Sequence, residues 1–538
     1  MVLFQELATS KRLSVVLAPS ESFAQRTSAQ RVVRTSVESR NGKLVLKATV
    51  TELKTQKDVD SFSVEGNATQ SFIEVATNLA KKLASDAGPF STPSDYALKD
   101  FVGAFSARGH KQAESLATAI HDDPNFGLAY ITFLEAVVKQ DPKFAQNLAR
   151  DAQMHRNRFT PLDGARFDLL MRRLSGAPPK QLAESVSAVL ALAPHEIGSL
   201  IALAQLKLAD NKTTEAISTL HDALDVDPAN LQARQLLAAA FVNTNRDDDA
   251  VHTLEELRAL RPEDPMTLSS LGELQFSIGR FADAAKTFSG LTDPSGHLLS
   301  AVSKALDGDS GGAEAEFEKF ASSRGSDPSM PLSRAAWLAL TGKREQAVET
   351  LTRATYPSPD FKSLALSEAA VLQATAHNPA AASQLAEEAT KLAAQPLPKI
   401  YATVANLMAH AYDSQQQIAT AFASSGMDPA AQVVASGLVY YAGGHYDLSL
   451  SAWQKELASN PADVRAQILR SACLFRLGRL EETMKEAPRL LMPNLNGQDP
   501  FAVYVFGEML KVRAAISHKD GHAVLAAKLD KAVSTFKL

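Results

Sequence analysis

Two short stretches carry residues whose types and spacing could bind a metal ion. In LDGDSGGAEAEFEKF, residues 306–320, Asp307, Asp309, Gly312 and Glu318 stand at positions 1, 3, 6 and 12 of a calcium loop. Such a loop draws oxygens from alternate residues and closes on a bidentate glutamate. Position 5 is Gly311, which has no side-chain oxygen, and position 8 is Glu314, where an apolar residue is usual. The run therefore reads as a turn followed by a solvated helix face. In SHKDGHAVL, His518 and His522 have the i, i+4 spacing that aims two imidazoles the same way on a helix. Gly521 between them and the lack of a third ligand nearby make the segment a turn before the last helix, with both histidines on the surface. No metal and no cofactor is expected at either place.

Catalytic signatures are missing. The chain has no phosphate-binding P-loop, no G-x-G-x-x-G, no G-x-S-x-G nucleophile elbow, no H-E-x-x-H and no cysteine pair. No catalytic residues can be named, and the expectation is a protein that is not an enzyme. Cys473, the one cysteine, lies in the apolar run ACLF and is expected to be a buried, inert thiol.

The elements that would position any site fall into two kinds. Residues 1–88 predict a small α+β domain. RVVRTSVES and KLVLKATVTEL flank Asn41-Gly42, a pair suited to the positive φ angles of a type I′ turn. The second run alternates Leu44, Leu46, Ala48 and Val50 with Lys47, Thr49 and Thr51, as a half-buried strand does. Val59–Glu65 predicts a third strand, and Phe72, Val75, Ala76, Leu79 and Leu83 then share one stripe of a covering helix. This order of elements, with NGKLVLKATVTELKTQKDV, resembles the TolB-amino-terminal/FlgO-like domain, which in bacterial proteins often precedes helical repeats. Such domains open on a strand, whereas here the chain begins at the helix LFQELATSKRL. Either the start is truncated or the sheet is smaller.

After residue 94 alanine, leucine and short turn clusters take over. Pro194, Pro228 and Pro262 lie 34 residues apart. Ala204, Ala238 and Gly272 keep the same stride, as do Ala216, Ala250 and Ala284. A small residue on one helix admits its partner helix closely, and proline stops the second helix. These columns, with Leu220, Leu254 and Phe288, resemble the tetratricopeptide repeat. The pattern returns in DPAAQVVASGLVYYAGGHYDLSLSAWQKELASNPAD through Gly437, Tyr440, Gly444, Tyr446, Trp453 and Pro461, although Ser449 replaces the usual alanine. The resemblance implies a mainly α chain, a solenoid of about 12 to 13 antiparallel helix pairs wound as a right-handed superhelix. Repeats are expected over 94–294, clearest at 195–294, looser over 295–427, with two further units at 428–493 and capping helices at 495–538.

Repeat proteins of this family use the first helix of each pair to line a groove. That analogy places Gln205, Leu208, Gln235, Val242, Asn243, Met266, Glu273 and Phe276 inward as candidate partner-binding residues. They are mixed apolar and amide groups, unlike the lysine/asparagine clamp that grips a peptide carboxylate, so a chaperone tail is not the expected ligand. Tyr440, Tyr441, Tyr446 and Trp453 are expected in the core.

The bulk numbers agree. A chain of 538 residues with 45% hydrophobic and 21% charged residues must bury several cores or repeat one. A net charge of -5 offers no attraction to nucleic acid. No signal peptide and no run of about 18 apolar residues is present, so membrane insertion is not expected and the default location is the cytoplasm. The expected function is a scaffold binding a protein or peptide. The alternative is a sensor or regulatory module whose α+β domain binds a small molecule or joins an absent effector domain.

Overall fold

The computed structural model describes residues 1–17, 24, 29–40, 43–67, 69–325, 327–410 and 415–536, without the side chains of 415, 416 and 423–425. The Asn41-Gly42 turn lies outside the described residues. Two compact units divide the chain, Met1–Pro262 and Glu263–Leu538.

The first unit opens with helix α1 (Val2–Ala8) and an antiparallel sheet of β1 (Arg31–Arg40), β2 (Lys43–Glu52) and β3 (Lys57–Glu65), in spatial order β1-β2-β3. Arg40 faces Lys43, so β1 and β2 form a tight hairpin. Strand β3 starts two residues before the sequence suggests, because a register shift at Val50/Thr51 brings Asp58 opposite Thr51. The Asp58 carboxylate accepts the Thr51 hydroxyl there at 2.7 Å. Helix α2 (Phe72–Leu83) covers β2 and β3 with Ile73, Val75, Ala76 and Leu79, burying Leu46 and Ala48. Ser71 and Glu74 form a reciprocal capping box at its start. The next two N–H groups, of Phe72 and Ile73, donate to the Asp95 carboxylate at 2.7 and 3.1 Å. Asp95 is also the first residue of the first repeat helix, so one side chain ties the sheet domain to the helical array.

The described residues that follow are mainly helices in antiparallel pairs, with a non-helical stretch at 487–501. Among the described residues the first unit holds five: Asp95–Ser106 with His110–Asp122, Gly127–Val137 with Pro142–His155, Pro161–Leu174 with Pro179–Leu192, Ile197–Ala209 with Thr213–Val226, and Leu231–Asn243 with Asp247–Leu260. The second unit continues from Pro265–Ser277 with Phe281–Phe288 to Ala502–Lys519 with Ala523–Phe536. The columns seen in the sequence are the packing contacts. Ala204, Ala216, Ala238, Ala250, Ala284, Leu220, Leu254 and Phe288 are all buried. A methyl group on Gly272 would come within 2.5 Å of the Phe288 ring, and one on Gly437 within 2.5 Å of Trp453. The glycine is where the large residue of the second helix sits. Pro194, Pro228 and Pro262 each follow two residues after the last helical residue, at Leu192, Val226 and Leu260.

A fifth column emerges from the backbone. The turn inside each clear pair passes through left-handed φ at Asn211 (57°), Asn245 (57°) and Gly279 (82°), again 34 residues apart. Asparagine and glycine tolerate this region where β-branched residues do not.

Candidate functional site

The first helices of the repeats carry the candidate residues, and the two units are taken in turn. In the first, Gln205 is exposed on Ile197–Ala209 and lines a cleft of about 380 Å³ with Arg173, Val186, Ile201, Leu206 and Gln232. Arg173 stands in a degenerate repeat outside the positions the repeat family uses, whereas Gln232 lies 34 residues before Met266 in the same column and was legible there. Leu208, Gln235 and Val242 are half-buried and lie outside this cleft, while Asn243 is exposed at the end of Leu231–Asn243. Beside them Arg234 is spent on structure: its guanidinium donates to the Pro228 carbonyl at 2.8 Å, to the Thr253 carbonyl at 3.2 Å, and pairs with Glu256.

In the second unit Met266 is 58% exposed and Glu273 is exposed on the same helix, Pro265–Ser277. Partial burial still pushes the Glu273 carboxyl above the ordinary glutamate value. Phe276 corrects the sequence reading. It is 1% exposed and packs edge-on against Phe281 at 5.4 Å, so it belongs to the core and a partner cannot reach it. The helix turns its apolar stripe through that position to meet the second helix of its own pair.

The metal-like spacings do not converge. Asp307 ends helix Pro294–Asp307 and accepts from Lys528 Nζ at 2.7 Å. Asp309 caps the next helix by accepting the Gly312 N–H at 2.9 Å, and Glu318 pairs with Arg334 at 2.7 Å. Each carboxylate has a separate structural partner. His518 lies in the last turn of helix Ala502–Lys519 rather than in a turn, and its Nε2 meets Asp530 at 2.7 Å; the turn at Gly521 then separates it from His522. Among the described residues no group of three or more His, Cys, Asp or Glu side chains could hold a metal.

Near the carboxyl end the aromatic residues frame a buried polar network. Trp453 and Tyr441 are buried, while Tyr440 and Tyr446 are half-buried. The Tyr441 hydroxyl donates to Glu508 at 2.5 Å, and Lys511 and Arg476 reach the same carboxylate at 2.7 and 3.2 Å. Burial alone would raise the Glu508 carboxyl; Lys511, Tyr441 and Arg476 outweigh it and hold the group below its ordinary value. Ser449, the exception in the alanine column, donates its hydroxyl to the Gly437 carbonyl at 2.8 Å and accepts the Cys473 thiol at 3.3 Å. Burial pushes that thiol up to about 11, so it is a packing group.

Models of the tetratricopeptide repeat family match residues 207–269 and 434–487, where the columns and the remote copy were read. The chain carries tetratricopeptide repeats. The peroxisomal targeting signal receptor of Saccharomyces cerevisiae is 25% identical to this repeat chain over 149 residues, 27% of it and 23% of the receptor. The repeat chain thus spans under a quarter of that curated relative. Among solved structures, a tetratricopeptide repeat protein from Parabacteroides merdae is 14% identical with a TM-score of 0.30, covering 46% of this chain and 99% of that one. YrrB, described as a TPR protein with an unusual peptide-binding site, is 14% identical with a TM-score of 0.24, covering 39% and 91%. No described helix of the repeat protein is long and apolar enough to cross a membrane.

Proposed function

We propose that the chain is a non-enzymatic scaffold that holds a segment of a partner protein against the first helices of its repeats. One observation carries the reading. The repeat-defining small and large residues are buried, while Gln205, Asn243, Met266 and Glu273 on the first helices stay exposed. Stacking therefore consumes one face of each helix and leaves a second face of amide, carboxyl and thioether groups, which suits the side-chain pockets and hydrogen bonds that grip an extended or helical segment. The curated relative is named as a receptor for a targeting signal, which accords with segment binding.

A photo-cross-linking residue placed singly at position 205 or 243 of the first unit, or separately at position 273 of the second, should capture a recurrent partner in the native cell by mass spectrometry. The same residue at Asp222 or Glu255, exposed on second helices, should not. Equal capture from both sets, or none from the first, would remove the reading.

A further inference from the structure

The second unit contains a cavity of about 730 Å³ whose walls come from helices Pro359–Thr375, Pro396–His410, Val464–Arg476 and Ala502–Lys519. Val371, Met408 and Val503 give it apolar walls, and the rings of Tyr446 and Tyr504 border it. Into this space faces Glu368, 4% exposed, on Pro359–Thr375. Among the described residues no hydrogen bond or ion pair reaches its carboxyl, whose oxygens open onto the cavity rather than being sealed in the core. The other charges nearby are committed. Arg476 and Lys511 both serve Glu508, and Asp499 accepts from Arg465 at 2.7 Å. Arg344 and His377 also border the cavity.

We propose that this cavity is a recognition pocket for one basic side chain, lysine or arginine, of the partner segment, with Glu368 as its counter-ion. The inference rests on the reading that the chain holds a protein segment. Two features select a cation. The orphan carboxyl gains a partner only from a donor, and an ammonium or guanidinium makes the stronger, charge-assisted bond. The aliphatic walls match the methylene stem of a long basic side chain.

Burial, with Asp499 adding to it, raises the empty Glu368 carboxyl well above the usual range and so favours its protonated form. A cation entering the pocket would displace that proton, and binding should tighten as pH rises, by about tenfold per unit while the empty site stays protonated. Tyr356 also senses Glu368, but its hydroxyl is pushed too high to titrate near neutrality.

The test uses the full chain and apolar-flanked heptapeptides with a central lysine, arginine, norleucine or glutamate, together with free cadaverine, by titration calorimetry from pH 6 to 8. Lysine and arginine peptides should bind at least tenfold tighter than the norleucine peptide, with the pH slope described. Glu368→Gln, which replaces a neutral acid by a neutral amide of the same shape, should lose both the preference and the slope. His377→Asn, at a residue with φ of 57° that asparagine accepts, should keep both. Equal binding of lysine and norleucine, tighter binding of glutamate, or a slope that vanishes with His377 instead would overturn the proposal. Cadaverine matching the lysine peptide would assign the pocket to a small amine and overturn the side-chain assignment. A partner cross-linked from the first helices and retained by Glu368→Gln defeats this inference alone, while basic peptides that bind with no partner captured defeat the scaffold reading alone.

Discussion

At Gly272 and Gly437 the missing Cβ is the space into which Phe288 and Trp453 fit, and neither glycine has an unusual backbone. Gly272→Ala or Gly437→Ala should therefore destabilise by about 1–3 kcal/mol in urea unfolding, despite alanine's better helix propensity. Gly311→Ala is the control: nothing lies within 4 Å of its added methyl, and it should be neutral or stabilising by up to about 1 kcal/mol. The spacing of Ala204, Ala238 and Gly272 made this contact legible, because only a small residue lets two helices approach so closely. Phe276 was misread for a related reason. The family analogy assigns groove positions by counting, but a large apolar side chain turns to whichever side has room, and here that side holds Phe281. Ser449 shows the reverse, a break in the column made harmless by a carbonyl its hydroxyl reaches.

Between elements, Glu316 is the clearest electrostatic tie. It lies on helix Ser310–Arg324, and His297 and Lys304 reach it from helix Pro294–Asp307 at 2.8 and 3.2 Å, with Lys319 at 3.1 Å. Burial would raise its carboxyl, yet hydrogen bonds from His297, Lys319 and Lys304 prevail and hold it at about 2. A carboxyl held lower in the folded than in the unfolded state stabilises above its ordinary value of 4.5, and the benefit drains away as pH falls from there toward 2. Glu316→Gln should thus lower the urea midpoint at pH 7, and the gap from wild type should narrow at pH 3. A constant gap would show that the contacts act by packing. In the sequence the same glutamate belonged to an acidic run read as solvated helix face. The run shows Lys319 three residues on but gave no sign of His297 and Lys304, because these come from another helix.

For the molecule as a whole, stacking makes each repeat depend on its neighbours more than on distant segments, and each compact unit has its own buried core. Residues 1–262 expressed alone should keep helical circular dichroism and melt cooperatively; a featureless, non-cooperative fragment would contradict a self-sufficient core. The sequence by itself determined that the chain after residue 94 is built of helix pairs, because the stride of 34 and the small-against-large columns are packing rules written along one dimension. It also announced the hairpin, since alternation fixes which strand face is buried. Tertiary structure alone decided where charges meet. Glu368 stands in LALSEAAVLQA and Glu508 in VYVFGEMLKV, and both look alike as lone acids on apolar helices. Both border the same cavity, but Glu508 is held by Arg476 and Tyr441 from other helices besides its neighbour Lys511, whereas no such group reaches Glu368 among the described residues. Local patterns encode how a helix packs; what a buried charge sees depends on which distant elements the packing brings beside it.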